Sequence, residues 1–187
     1  MISAGDFKNG MTFEMDGNVM QVIDFQHVKP GKGAAFVRAK IRNIISGGVT
    51  ERTFNPSEKY EKALVERKKM QYLYADGDLH YFMDLESYEQ IPIAKDLLGE
   101  DFAFVKENME CEVSSFKGSV FNVAAPMFVD LLVTHADPAV AGDTARNVMK
   151  PCTLETGVTL KVPLFIEVGE MIRIDTRTGE YMERTKS

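Results

Sequence analysis

Residues 11–28, MTFEMDGNVMQVIDFQHV, decide the fold. Residues 11–15 and 18–28 are short runs with alternating apolar positions, and Asp16-Gly17 stands between them. Successive side chains of a strand point to opposite faces, so runs of this kind half-bury one face. Asp and Gly both tolerate positive φ, which a two-residue hairpin turn needs to match the twist of its strands. The stretch therefore predicts an antiparallel hairpin. The same dipeptide recurs as Asp76-Gly77, between residues 70–74 and 79–83, and Lys117-Gly118 and Thr178-Gly179 mark further turns. Short strands at even spacing predict an all-β chain of small barrels.

The next run, FVRAKIR at 36–42, alternates cleanly. Val37, Ala39 and Ile41 should face a core, leaving Arg38, Lys40 and Arg42 as a basic outer row. Residues 57–70, SEKYEKALVERKKM, have helical propensity, but Leu64-Val65 is their clearest apolar pair, too narrow for a packed helix face. They are expected to form a passage between domains, extended in the second half. A single helical turn is expected at 93–98, between Pro92 and Gly99. Domain boundaries are expected near residue 65 and near Pro126, giving three small barrels at 1–64, 65–127 and 128–187.

The chain has 187 residues with a net charge of −6 and a pI near 5.2. That balance argues against nucleic acid until it is divided: the three segments carry +2, −6 and −2. No acidic residue occurs from 25 to 50, a window holding Lys29, Lys32, Arg38, Lys40 and Arg42. No apolar run approaches the roughly 18 residues of a membrane span, so no membrane role is expected. The polar N-terminus lacks a signal-peptide pattern, and Cys111 and Cys152 lie far apart. Both point to a cytoplasmic protein with reduced thiols.

Enzymatic chemistry finds little support. His27, His80 and His135 are dispersed, with no metal-ligand spacing, and neither a nucleophile elbow nor a phosphate-cradling loop is present. No catalytic residue, metal or cofactor is expected. The position that stands out is Lys32 in HVKPGKGAAF (27–36). Pro30 fixes its own φ, and Gly31 and Gly33 permit tight or left-handed geometry. Together with Lys29 they predict a hairpin tip that lifts Lys32 clear of the body, where its amine could accept a covalent extension.

Several segments together carry a resemblance. HVKPGKGAAFVRAKIRN (27–43), MQYLYADGDLHYFMD (70–84), GDTA (142–145) and KPCTLETGVTLKVPLFIEVG (150–169) occur in the order seen in bacterial elongation factor P. The last of these sets Lys150, Gly157, Val162-Pro163, Ile166 and Gly169 at the family spacing. The chain resembles that family along nearly its whole length. Two departures are Cys152, at a usually small alanine-like position, and residues 146–149, which replace a more glycine-rich run.

The resemblance implies an L-shaped mimic of transfer RNA, built of an SH3-like barrel and two OB-folds. It implies a monomer that binds the 70S ribosome between the peptidyl and exit sites and relieves stalling at consecutive prolines. Lys32, extended by a modifying enzyme, would reach toward the CCA end of peptidyl-tRNA. Arg38, Lys40 and Arg42 would meet ribosomal RNA phosphates. Gly142, Asp143 and Thr144 would lie near the exit-site codon. Tyr181 and Arg184 would approach the anticodon stem, although Tyr181 equally suits packing on its own barrel.

Two other classes present comparable features. Biotinyl and lipoyl carriers also display a lysine at a hairpin tip, but Gly31-Lys32-Gly33 matches neither of their signatures. A general OB-fold RNA-binding protein should interleave aromatics with cations, yet the basic row has Phe36 alone beside it.

Overall fold

The computed structural model describes residues 1–139 and 148–186. The chain is all-β and divides into two compact units, Met1–Glu66 with Ser115–Phe121, and Arg67–Ser114 with Asn122–Ser187.

In the first unit β1 (Ile2–Ser3) is followed by β2 (Thr12–Met15), β3 (Asn18–Val28), β4 (Phe36–Asn43), β5 (Val49–Phe54) and β6 (Lys59–Tyr60). Strands β2 to β5 form a sheet in sequence order, and β1 pairs with β6. The opening hairpin closes at the Met15–Asn18 pair. Asp16 and Gly17 both take positive φ, 52° and 76°, as the dipeptide predicted. Val37, Ala39 and Ile41 are fully buried. They join Phe7, Phe13, Met20, Val22 and Phe54 in one core. Its centre is aromatic: Phe13 stacks on Phe7 at 5.0 Å, and Phe54 meets Phe7 edge-on at 5.2 Å. Offset and edge contacts of this kind add about 0.5–1.5 kcal/mol per pair beyond burial. The β3–β4 register skips Ile23, pairing Val22 with Ile41 and then Asp24 with Lys40. This bulge bends the sheet and keeps Asp24 on the outer, basic face.

The second half of residues 57–70 runs extended, as expected, with a strand beginning at Val65, while the first half holds a turn at Ser57 and the short β6. Lys62 bridges Phe13, and Thr12 Oγ1 donates to the Ala63 carbonyl at 3.0 Å. The chain then enters β7 (Val65–Asp76), followed by β8 (Leu79–Asp84), β9 (Gln90–Ala94), β10 (Glu110–Phe116) and β11 (Ser119–Ala124). These form a five-stranded sheet in the order β11-β10-β7-β8-β9. The β7–β8 turn departs from the prediction by one residue. Asp76 pairs with Leu79, so Gly77-Asp78 makes the turn. Positive φ falls on Gly77 (59°) and not on Asp78, the pattern of a II′ turn rather than the I′ turn at Asp16-Gly17. Lys117 and Gly118 do take the I′ pattern, at 49° and 79°.

The helical turn expected at 93–98 is shorter, because β9 holds the chain extended through Ala94 and only Lys95–Leu97 coils. A second short turn, Glu100–Phe104, had no periodicity to announce it. The last sheet comprises β12 (Phe128–Ala136), β13 (Met149–Leu154), β14 (Thr159–Pro163), β15 (Met171–Asp175) and β16 (Glu180–Thr185), ordered β14-β13-β12-β15-β16. Its core of Val129, Leu131, Val133, Leu154, Val162, Ile166, Ile172 and Ile174 also contains Phe104. The expected boundary near Pro126 thus lies inside the second compact unit. Thr176 Oγ1 donates to the Pro126 carbonyl there, at 2.6 Å.

Candidate functional site

The β3–β4 ladder ends at His27–Val37 and Val28–Phe36. Residues 29–35 lie beyond it, and all are exposed. Lys32 is the middle residue of this loop. Gly33 has φ +113°, which a side chain would strain, and a β-carbon there would meet Pro30 Cγ at 3.7 Å. The ring of Pro30 and the left-handed Gly33 thus set the path of the tip. Gly31 lies in the same bend but takes no positive φ, and nothing lies within 4 Å of its β-carbon position. The left-handed geometry is confined to Gly33.

Behind the tip, Arg38, Lys40 and Arg42 are all exposed on one face of β4. Alternate residues of a strand stand roughly 6.5–7 Å apart, so the three charges lie within one screening length of their neighbours. The sheet adds what the linear sequence hid. Lys40 is flanked by Asp24 on β3 and by Glu51 on β5. Arg38 Nε lies 3.7 Å from Glu51 Oε1, and its guanidinium stands 5.9 Å from the Phe36 ring. The acid-free window of 25–50 therefore folds between two carboxylates just outside its ends. An exposed pair like Arg38–Glu51 is worth about 0.2–1 kcal/mol, so it tempers the basic row without neutralising it.

The second unit carries the remaining described candidates. Tyr181 is half-buried against the core of the last sheet, and burial raises the pKa of its phenol. Arg184 is exposed and held from two sides. Its Nη1 donates to Glu170 Oε1 at 3.1 Å, and its guanidinium lies 4.8 Å from the centroid of Phe165. Phe165 is 56% exposed, although its neighbour Ile166 is fully buried. The aromatic beside Arg184 is therefore Phe165, which the reading of the sequence passed over. The available signal was its place just after Pro163, where strand alternation has stopped. Gly142, Asp143 and Thr144 lie outside the described residues.

The histidines remain apart. His27 meets Phe25 edge-on at 5.6 Å, and His135 Nε2 lies 3.3 Å from Asp137 Oδ1. His80 packs edge-on to Phe102 at 5.2 Å; burial lowers its pKa, helped by Lys95. Both cysteines are buried free thiols, and burial pushes Cys111 up to about 12. Among the described residues no three His, Cys, Asp or Glu side chains gather to hold a metal ion, and no helix is long and apolar enough to cross a membrane.

A solved structure similar to this one is a eukaryotic-type translation initiation factor 5A from Methanococcus jannaschii. The likeness has a TM-score of 0.54 and 27% identity, and covers 65% of this chain and 92% of that one. An all-β fold of this likeness places the chain with the translation factors. Three family models resolve which kind: the elongation factor P KOW-like domain matches residues 3–60, its OB domain 65–123 and its C-terminal domain 129–184. Elongation factor P of Ruminiclostridium cellulolyticum is 62% identical over 186 residues, covering all of both chains. That of Acetivibrio thermocellus is 61% identical over 184 residues, covering 98% of this chain and all of its own. The chain belongs to the elongation factor P family and is a translation elongation factor. The carrier-protein alternative falls with that assignment.

Proposed function

We propose that this factor binds the ribosome between the peptidyl and exit sites and speeds peptide-bond formation at consecutive prolines. The observation that carries the reading is the tip, a wholly exposed loop with Lys32 at its middle. Proline is a conformationally restricted nucleophile, and a poorly placed peptidyl-tRNA adds an entropic penalty. A rigid probe that orders the CCA end lowers the barrier without acid–base chemistry. A gain of about 1.4 kcal/mol is already a tenfold rate effect. The factor acts by positioning and has no catalytic group of its own.

A covalent extension of Lys32, added by a dedicated enzyme, lengthens the probe. Arg38, Lys40 and Arg42 bind ribosomal RNA phosphates and make association salt-dependent. Residues 1–64, 65–127 and 128–187 act as three domains of a cytoplasmic monomer, the last reaching the anticodon stem through Arg184 and the exit-site codon through Gly142, Asp143 and Thr144.

The test is a reporter with consecutive proline codons in cells lacking the factor. Wild type should restore readthrough and Lys32→Ala should not; equal rescue by both would sink the tip mechanism. Intact mass and peptide mapping of protein from its native host should show added mass on the peptide containing Lys32.

A further inference from the structure

We propose that His80 is an acid-sensitive switch in the second unit: its protonation releases the turn Glu100–Phe104, which otherwise fastens the core of the β7–β11 sheet to that of the β12–β16 sheet. The switch does not depend on the ribosomal role proposed above.

The turn is short, yet it supplies an aromatic ring to each sheet. Phe102 meets Tyr72 of β7 edge-on at 5.0 Å and His80 of β8 edge-on at 5.2 Å, with Phe82 at 6.0 Å. Two residues on, Phe104 is buried within the core of the last sheet. The backbone of the turn is held locally. Phe102 N–H donates to the Gly99 carbonyl at 3.1 Å, and Val105 N–H donates to the Phe102 carbonyl at 2.9 Å. Asp101 Oδ2 accepts the Ala125 amide at 2.8 Å. A five-residue segment tied down in this way cannot move one ring without moving the other.

His80 is the titratable group at this contact. Its ring also lies 5.9 Å from that of Tyr72, and its Nδ1 is buried with no hydrogen-bond partner among the described residues. A neutral imidazole keeps one nitrogen free of hydrogen, so it tolerates that position. The cation carries hydrogen on both nitrogens and strands a charged N–H without an acceptor. The groups facing it are Lys95 after β9, Asp78 in the β7–β8 turn and the neutral Tyr72 phenol. Burial first and Lys95 second hold the imidazole below its ordinary 6.5, and Asp78 opposes them. Once pH falls below 6.5, the unfolded chain therefore binds more protons than the folded one. Opening becomes easier from there down and levels off when the folded ring is itself protonated. Asp84 titrates below 3.8, so its effect falls in a separate range.

Hydrogen–deuterium exchange of the full-length protein, read by mass spectrometry and corrected for intrinsic pH dependence, tests the switch. It is run at about pH 7.5 and about pH 5.5, on either side of the histidine range. Peptides covering 99–106 and 176–181 should exchange several-fold faster at the acid pH, the second because Phe104 closes on Gly179. Residues 36–43 of the first unit should show no such change. His80→Phe should abolish the acid effect, and Lys95→Met, at the surface, should shrink it. Persistence of the full effect in both variants would overturn the proposal. So would the lack of an acid effect in wild type, or one confined to 79–84, since the turn would then not be what His80 holds. If a thermal melt shows that His80→Phe does not fold, Lys95→Met decides alone: an acid effect as large as wild type sinks the switch.

Discussion

The Phe104 ring closes against the backbone of Gly179, its Cζ 3.4 Å from the place a β-carbon at 179 would occupy. Phe104 comes from a short turn ahead of β10, yet it belongs to the core built by β12 to β16. Phe104→Ala should destabilise the second unit by about 3 kcal/mol, the usual cost of emptying a buried aromatic site. Gly179→Ala should cost more than about 1 kcal/mol, because φ of +74° strains any side chain even before the ring is met. Urea unfolding followed by circular dichroism measures both.

Acid should weaken the fold partly through Asp84. Its Oδ1 accepts the amides of Glu86 and Ser87 at 2.8 and 3.2 Å, and its Oδ2 accepts from Lys68 at 3.3 Å. The backbone bonds, with Lys68, hold the carboxyl below its ordinary 3.8. A depressed carboxylate contributes its full stability above the unfolded value and loses it as pH falls through the folded one. Asp84→Asn should therefore be less stable than wild type near neutrality, and the two should converge below about pH 3.8. Urea midpoints across a pH series would show the convergence; a constant gap would count against it.

Neither cysteine should react in the folded protein. Cys111 is 1% exposed with a pKa of about 12, and Cys152 is equally buried. Iodoacetamide at neutral pH should leave the native mass unchanged and add to both thiols in denaturant.

Glu51 should act as a brake on RNA binding. Glu51→Gln frees Arg38 and removes a carboxylate opposite Lys40. Ribosome affinity should rise a few-fold at low salt and return to the wild-type value at high salt, where exposed charges are screened. Changing Arg38, Lys40 and Arg42 to Ala should weaken binding and flatten its salt dependence. Unchanged binding across the salt titration would assign that row to solvation alone.

Much of the fold was legible because hairpins are local. Asp16-Gly17 and the alternation of 36–42 name their own register and buried face. Asp76-Gly77 misled by one residue because two turn types use a glycine differently, and the choice between them depends on where pairing starts. The turn that inserts Phe104 had no signal, since its reason is a contact with residues far along the chain. The site divides in the same way. The tip could be read from Pro30 and Gly33, whereas Asp24 and Glu51 came to flank the basic row only once the sheet had formed. Exposure separated Phe165 from Tyr181, and exposure is a property of the folded surface.

Gly31 adds a consequence of its own. The tip is steered by Pro30 and Gly33, while position 31 is sterically vacant and conformationally ordinary. A side chain there would thicken the tip without redirecting Lys32. A graded series of Ala, Val and Leu at 31 would thus serve as a feeler gauge, reporting how much clearance the occupied site leaves around the lysine.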